Sequence, residues 1–230
     1  MFFDPLYLLI VGPALLLSIW AQIKVKSTFA RYSRVATHSN INGAEAAARI
    51  LQSFGIGNVD VQQTQGFLSD HYDPRKRVLR LSPDVFQGKS IASLGVAAHE
   101  AGHALQHAQN YFPLQVRSAL VPVTQFGSWL AWPLLLIGFL LQSQQLLLAG
   151  IILFSAAVLF QLVTLPVEFD ASRRAVAILG SQGILSGPEL DGTRKVLSAA
   201  ALTYIAAAAA AVLQLLYFLM RAGFLGSRDE

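Results

Sequence analysis

The chain has 230 residues, of which 54% are hydrophobic and only 13% are charged, with a formal net charge of +4 and no cysteine. This excludes an ordinary soluble domain, in which about 25% of residues are charged. The lack of cysteine excludes disulfides and thiolate metal sites. We read the basic charge as a sign of membrane topology and of contact with the lipid bilayer, and we expect no nucleic-acid partner.

The first predicted element is a transmembrane anchor. Residues 5–23 form a charge-free apolar run, close to the roughly 20 residues that a helix needs to cross a bilayer. Asp4 precedes this run instead of a basic residue, and no small-x-small cleavage site follows it. We therefore expect residues 1–23 to be a retained N-terminal anchor and not a cleaved signal peptide.

Residues 24–117 are predicted to form a small α+β lobe. Asn42 and Glu45 have the spacing of a capping box, which indicates a helix over 44–54. The sequence therefore predicts where the first helix of this lobe begins.

Two short strands and a second helix follow in this lobe. Segments 59–61 and 77–81 alternate as half-buried strands do, and residues 73–76 supply a turn. A helical pattern then runs from Ser90, its predicted cap, to about Asn110.

The second helix carries the pattern H-E-x-x-H at residues 99–103. Residues four apart share one helix face, about 6 Å apart along the axis, so His99 and His103 can bind one metal ion. Glu100 would then point to a zinc-bound water and act as general base, before passing the proton to the leaving amine. Because the motif is short and occurs by chance, ordinary polar histidines remain an alternative at this point.

Two more spans are predicted from residues 118–167, which contain no charged residue and no histidine. As one helix these fifty residues would be about 75 Å long, too long for a single crossing. The polar stretch 142–145 divides them into a transmembrane hairpin. A cytoplasmic segment over 168–195, a last span over 196–220 and a tail over 221–230 complete the chain.

The basic residues predict the orientation of these four spans. Eleven of the seventeen Lys and Arg residues lie between Lys24 and Arg117, and four more lie between the last two spans. The positive-inside rule places both segments in the cytoplasm, although Arg221 and Arg228 count weakly against this. We therefore expect a multi-pass protein of the cell membrane with its active site facing the cytoplasm.

A catalytic zinc needs a third protein ligand. His107 lies about 12 Å from His99 along a straight helix, beyond reach of the same ion, and is expected on the helix surface or in a supporting role. Asp191 lies in an L-D-G sequence that resembles the ligand motif of intramembrane site-2 proteases. In those enzymes the motif lies within a hydrophobic span, whereas Arg194 follows closely here.

Glu168 is the favoured third ligand. Two predicted membrane crossings separate it from His103, and an even number of crossings returns the chain to the same side. A carboxylate just past a span is often only a solvated boundary residue, but the need for a third ligand favours a role for Glu168 in metal binding.

Four separated blocks of sequence resemble the YugP-type membrane zinc metallopeptidases of bacteria, and the resemblance covers nearly the whole chain. The blocks are GFLSDHYDP at 66–74, LS at 81–82, VAAHEAGHA at 96–104 and PVEFDAS at 166–172. That family is similar in plan to the gluzincin-like CAAX prenyl protease and HtpX groups. The resemblance implies His99, His103 and Glu168 as zinc ligands and Glu100 as the catalytic residue.

One position departs from the HtpX-like pattern. There an Asp four residues after the ligand Glu supports a zinc-bound His, whereas this chain has Ser172. Asp170 would point to another helix face, so which of the two gives support stays open.

Residues 70–73 have two interpretations. Asp residues next to a Pro are usually turn formers. Alternatively, an edge strand before the H-E-x-x-H helix could align an extended substrate through its backbone, with His71 or Tyr72 near the oxyanion.

Taken together, these patterns predict a mainly α membrane protein with four transmembrane helices and a small cytoplasmic α+β, zincin-like lobe. With one zinc ion per chain it would hydrolyse a peptide or membrane-protein substrate. The alternatives are a catalytically silent membrane scaffold with a structural or vestigial zinc site, and an intramembrane site-2-type protease that uses Asp191. The sequence favours the enzyme, because a scaffold has no need of Glu100 beside an open zinc position.

Overall fold

The computed structural model describes residues 4–224, so the start of the predicted anchor and most of the predicted tail, at 1–3 and 225–230, lie outside the described residues. The described chain is mainly helical and contains a small three-stranded sheet. In chain order the elements are α1 (Pro5–Tyr32), α2 (Gly43–Ser53), β1 (Asp60–Gln63), β2 (His71–Asp73), β3 (Val78–Leu81), α3 (Pro83–Phe86), α4 (Ile91–Ala108), α5 (Phe112–Leu140), α6 (Gln144–Ser181) and α7 (Pro188–Arg221).

Four of these helices, α1, α5, α6 and α7, are long and apolar enough to cross a membrane. Their number agrees with the four predicted spans. The break between α5 and α6 includes Gln142 and Ser143, the start of the polar stretch that the sequence placed between the two halves of the hairpin.

The segment 168–195, predicted as a cytoplasmic segment between the last two spans, is largely helical. α6 continues through Glu168 to Ser181, and the chain turns at Gly183, which has a φ of +65°. Glycine adopts this left-handed conformation without steric cost, and the fixed φ of Pro188 suits the first position of the next helix. Hydropathy shows where lipid-compatible sequence ends, but a helix continues until a residue breaks it.

One compact unit of the chain contains most of the apolar helical residues. Within the described residues it comprises 4–21, 115–165 and 203–224. Its core is rich in aromatic contacts, such as Tyr7 against Tyr217, whose ring centroids lie 5.1 Å apart in an edge-to-face arrangement. Large apolar side chains also cover its surface, and Phe126 and Trp129 are each 76% exposed. Such a surface suits lipid better than water.

The other compact unit comprises Gln22–Leu114 and Pro166–Leu202 and holds the sheet. Asn42 Oδ1 accepts a hydrogen bond from the Glu45 amide at 2.8 Å, and the Asn42 amide donates to the Glu45 carboxylate at 3.1 Å. This reciprocal capping box confirms the predicted helix start. Ser90 is the N-cap of α4, and its Oγ accepts a hydrogen bond from the Ser93 amide at 3.1 Å.

The sheet has the strand order β1-β3-β2, with β1 parallel and β2 antiparallel to the central β3. Strands β1 and β3 confirm the predicted strands at 59–61 and 77–81 to within two residues. The turn interpretation of residues 70–73 was wrong for 71–73, which form the edge strand β2. Asp73 has both roles, since its carboxylate also accepts from the Arg75 and Lys76 amides in the following turn.

Candidate metal centre

Helices α4 and α6 bring two imidazoles and one carboxylate together. His99 Nε2 lies 3.2 Å from Glu168 Oε2, and His103 Nε2 lies 3.5 Å from the same oxygen. One ligand atom from each of the three residues lies within 4.8 Å of the other two. Among residues 4–224, this is the group of metal-ligating side chains close enough to share one ion.

The donor set and its spacing fit a zinc ion. Zinc in proteins is tetrahedral with bonds of about 2.0–2.1 Å to His nitrogen and carboxylate oxygen, which places neighbouring ligand atoms about 3.3 Å apart. The two nitrogen–oxygen separations, 3.2 and 3.5 Å, match that edge length. Three ligands leave a fourth position for water or substrate, as in catalytic zinc sites.

The spacing of the motif on α4 explains how the two imidazoles converge. His99 and His103 are one helical turn apart, and their ring centroids lie 4.7 Å apart with an interplanar angle of 84°. Their side chains are 12% and 10% exposed, and that of Glu168 is 3% exposed. A buried carboxylate is costly without a compensating partner, so this cluster suits a cation.

Gln106 fixes the orientation of His103. The fully buried Gln106 amide donates from Nε2 to the Val167 carbonyl at 2.8 Å and to Asp170 Oδ2 at 3.0 Å. Its Oε1 therefore faces His103 Nδ1, at 3.0 Å, and accepts a hydrogen bond from it. With its proton on Nδ1, a neutral His103 presents the lone pair of Nε2 towards Glu168, which is the state that binds a metal.

Ser172 contacts one histidine of the pair directly, whereas Asp170 is linked to the other through a glutamine. Ser172 Oγ lies 3.2 Å from His99 Nδ1, whereas Asp170 reaches His103 only through Gln106. Each of the two residues therefore lies on the side of a different imidazole, and which of them supports a zinc-bound histidine stays a prediction. Gln106 was missed, although its position three residues after His103 on the same helix was a usable signal.

Arg173 and Arg174 hold Asp170 from the other side. Both guanidinium groups form ion pairs with the Asp170 carboxylate, and Arg174 also donates to Gln109, the residue that follows α4. These bonds restrict the orientation of the Asp170 carboxylate, which accepts the hydrogen bond from the Gln106 amide.

Glu100 lies next to His99 in the sequence and is only 8% exposed. Burial raises the pKa of the Glu100 carboxyl, and the nearby His99 and His103 partly oppose this increase. Burial alone would lower the pKa of His103, but its hydrogen bond to Glu168 and the carboxylate charge outweigh this effect and raise it. A carboxylate with an increased proton affinity is suited to general-base chemistry near neutral pH.

The structure places the other sequence candidates outside the three-ligand group. His71 is exposed and its Nδ1 lies 2.8 Å from the Ser69 carbonyl, and the Tyr72 hydroxyl lies 2.8 Å from His107 Nδ1. The Asp191 side chain is 65% exposed and forms an ion pair with Arg194. Within the described residues, neither His107 nor Asp191 joins the group that could hold a metal.

Comparisons with known proteins agree with this chemistry. A family model described as "Putative neutral zinc metallopeptidase" matches residues 7–223. The chain is 52% identical over 225 residues to the "Putative membrane protease YugP" of Bacillus subtilis (strain 168). The aligned residues cover 98% of this chain and 99% of that protein. No solved structure gives a significant match.

The Gly102→Ala substitution is expected to weaken zinc binding about tenfold or more, as changes around a metal site commonly do. A Cβ at Gly102 would lie 2.9 Å from the Ala171 carbonyl oxygen of α6, a backbone atom three residues after Glu168. Alanine favours a helix over glycine, so weaker binding would reflect the displaced α6 and not a weaker α4.

Zinc affinity can be measured for this variant by competition with a chromophoric chelator. Gly57→Ala is the matched control, because a Cβ at Gly57 meets no atom within 4 Å. Zinc affinity of Gly102→Ala equal to that of the unmodified protein would show that this contact does not set the ligand geometry.

Proposed function

This chain belongs to the family described as "Putative neutral zinc metallopeptidase", and from that premise we propose that it is a membrane-embedded zinc-dependent peptidase. In this proposal His99, His103 and Glu168 bind one zinc ion per chain, and Glu100 is the general base. The buried cluster of two imidazoles and one carboxylate, with Glu100 beside it, is the observation that carries the proposal.

The three ligands each have a defined task. The two imidazoles offer neutral nitrogen donors, and Glu168 adds one negative charge that offsets part of the charge of a dication. When bound, zinc would supply Lewis acidity, which lowers the pKa of a water molecule and polarises a carbonyl group. Gln106 and Ser172 hold the outer nitrogens of His103 and His99, so that the inner nitrogens stay directed at the cluster.

Glu100 moves the proton in this proposal. Its carboxylate accepts a proton from the attacking water and later delivers it to the leaving amine. Burial increases the proton affinity of Glu100, so one carboxyl group can perform both transfers without an added acid.

The substrate is proposed to be a peptide or a membrane protein in extended form. Strand β2 lies at one edge of the sheet, and a peptide could pair with such an edge through its backbone. The suggestion that His71 or Tyr72 approaches the oxyanion stays a prediction.

The site is proposed to face the cytoplasm of a multi-pass membrane protein. Four apolar helices support a membrane location, and the basic residues near the site follow the positive-inside rule. The division of the chain into anchor, lobe, hairpin and last span remains a prediction.

The two alternatives fit these observations less well. An intramembrane protease that uses Asp191 would need this residue near the imidazoles, but its side chain is exposed and paired with Arg194. A silent scaffold would not need a buried Glu100 next to an open metal position.

Glu100→Gln should keep zinc and lower the cleavage rate by about a hundredfold to ten-thousandfold, the usual contribution of a general base. The amide has the same shape but cannot accept the proton, and Glu100 is not one of the proposed ligands. Zinc per chain and the rate of peptide cleavage are measured on the same preparation. Cleavage by this variant at the rate of the unmodified protein would refute the role of Glu100.

Glu168→Ala should lower zinc content well below one ion per chain, since it removes one of three ligands. Asp191→Ala is the matched control, because it also removes a carboxylate but is expected to leave zinc content unchanged. Elemental analysis after gel filtration gives the ratio of zinc to protein. The reverse pattern would support the site-2-type alternative instead.

A further inference from the structure

We propose that a pocket beside α4 binds a carboxylate of the substrate, so that the peptidase selects acidic residues; this proposal rests on the function proposed above. The pocket has a volume of about 340 Å³. Its polar lining includes Tyr72, Arg77 and His107, and its apolar lining includes Ile56, Val59 and Ala104.

The pocket residues that belong to α4 lie on the same face of this helix as Glu100. Ala104 and His107 are four and seven residues after Glu100 on α4, so the three residues share one face. With a rise of 1.5 Å per residue, the pocket begins about 6 Å beyond Glu100 and reaches His107 after about 10 Å. An extended peptide advances about 3.3 Å per residue, so the pocket would receive a side chain two or three residues from the bond next to Glu100.

Arg77 supplies a positive charge to this pocket. Its side chain is exposed, and within residues 4–224 it forms no ion pair. None of the described residues that line the pocket is acidic. A guanidinium without an ion-pair partner in a pocket that lacks carboxylates favours an anionic ligand, and its planar fork matches a carboxylate.

The Tyr72–His107 pair supplies a second hydrogen-bond donor. Tyr72 OH and His107 Nδ1 lie 2.8 Å apart, and burial raises the pKa of the Tyr72 phenol, which therefore keeps its proton at neutral pH. If the hydroxyl donates to Nδ1, a neutral His107 carries its own proton on Nε2 and can donate from there. If Nδ1 donates to the hydroxyl oxygen, the hydroxyl proton is free to donate. Both arrangements leave one donor for a ligand oxygen.

The apolar lining favours a carboxylate on a short aliphatic stem. Ile56, Val59 and Ala104 can contact methylene groups while Arg77 and the Tyr72–His107 pair bind the oxygens. A Glu or Asp side chain has this composition. The C-terminal carboxylate of a peptide carries the same charged group, and the experiment below separates the two sources.

The test measures binding of peptides to full-length zinc-loaded Glu100→Gln protein in detergent, so that cleavage does not interfere. One fluorescent, C-terminally amidated peptide pool has a fixed central Glu, and a matched pool has Gln there. A third pool has the central Gln and a free C-terminus. Fluorescence anisotropy gives the dissociation constant of each pool.

The amidated Glu pool should bind about tenfold more tightly than the amidated Gln pool, as expected for one charge-assisted hydrogen-bonded pair. Adding Arg77→Gln should reduce this preference to less than twofold. Arg75→Gln is the matched control, since it removes the same charge from the same turn outside the pocket lining and should keep the preference.

Equal binding of the two amidated pools, or a preference that survives Arg77→Gln, would overturn the acidic side-chain proposal. If only the pool with a free C-terminus bound more tightly, and this gain in affinity required Arg77, the result would overturn the proposal in favour of a terminal carboxylate. Binding does not require turnover, so the result stays separate from the cleavage test of Glu100. A protein that bound the Glu pool but whose unmodified form cleaved no peptide would contradict the peptidase function and not the pocket.

Discussion

The close contact between α4 and α6 is the constraint on which the candidate site depends. Two imidazoles on one helix and a carboxylate on the other must come within about 3.3 Å of each other to share a tetrahedral ion. Gly102 makes this approach possible, because a Cβ there would lie 2.9 Å from the Ala171 carbonyl oxygen. Ala98 and Ala101 on the same helix are also buried, and their side chains are small.

The packing that brings the three candidate ligands together also orients them. Gln106 joins α4 to α6 through two hydrogen bonds, to the Val167 carbonyl and to Asp170, and accepts a third from His103 on its own helix. The hydrogen bonds therefore connect the two helices and select the tautomer of His103 at the same time. The pocket proposed for an acidic side chain lies farther along α4, so a single helix would carry metal ligands, the general base and part of the substrate selectivity.

Much of the site could be predicted from the sequence, because helical spacing is local. The two helix caps, the convergence of His99 and His103, and the four apolar helices follow from residues close together in the chain. Glu168 required an argument about membrane crossings and the need for a third ligand. Gln106 was missed, because its role depends on residues of α6 that are distant in the chain. Strand β2 was only one of two interpretations of residues 70–73, because these residues become a strand by pairing with β3. The end of α6 at Ser181 and the start of α7 at Pro188 depend on Gly183 and Pro188. A hydropathy pattern does not detect the effect of these two residues on the backbone.

The central claim, that three residues form one zinc site, is tested most directly by anomalous diffraction from crystals of the zinc-loaded protein at the zinc absorption edge. We expect a single anomalous peak about 2.0–2.2 Å from His99 Nε2, from His103 Nε2 and from a carboxylate oxygen of Glu168. A peak bound to the two imidazoles but distant from Glu168, or located at Asp191, would contradict it.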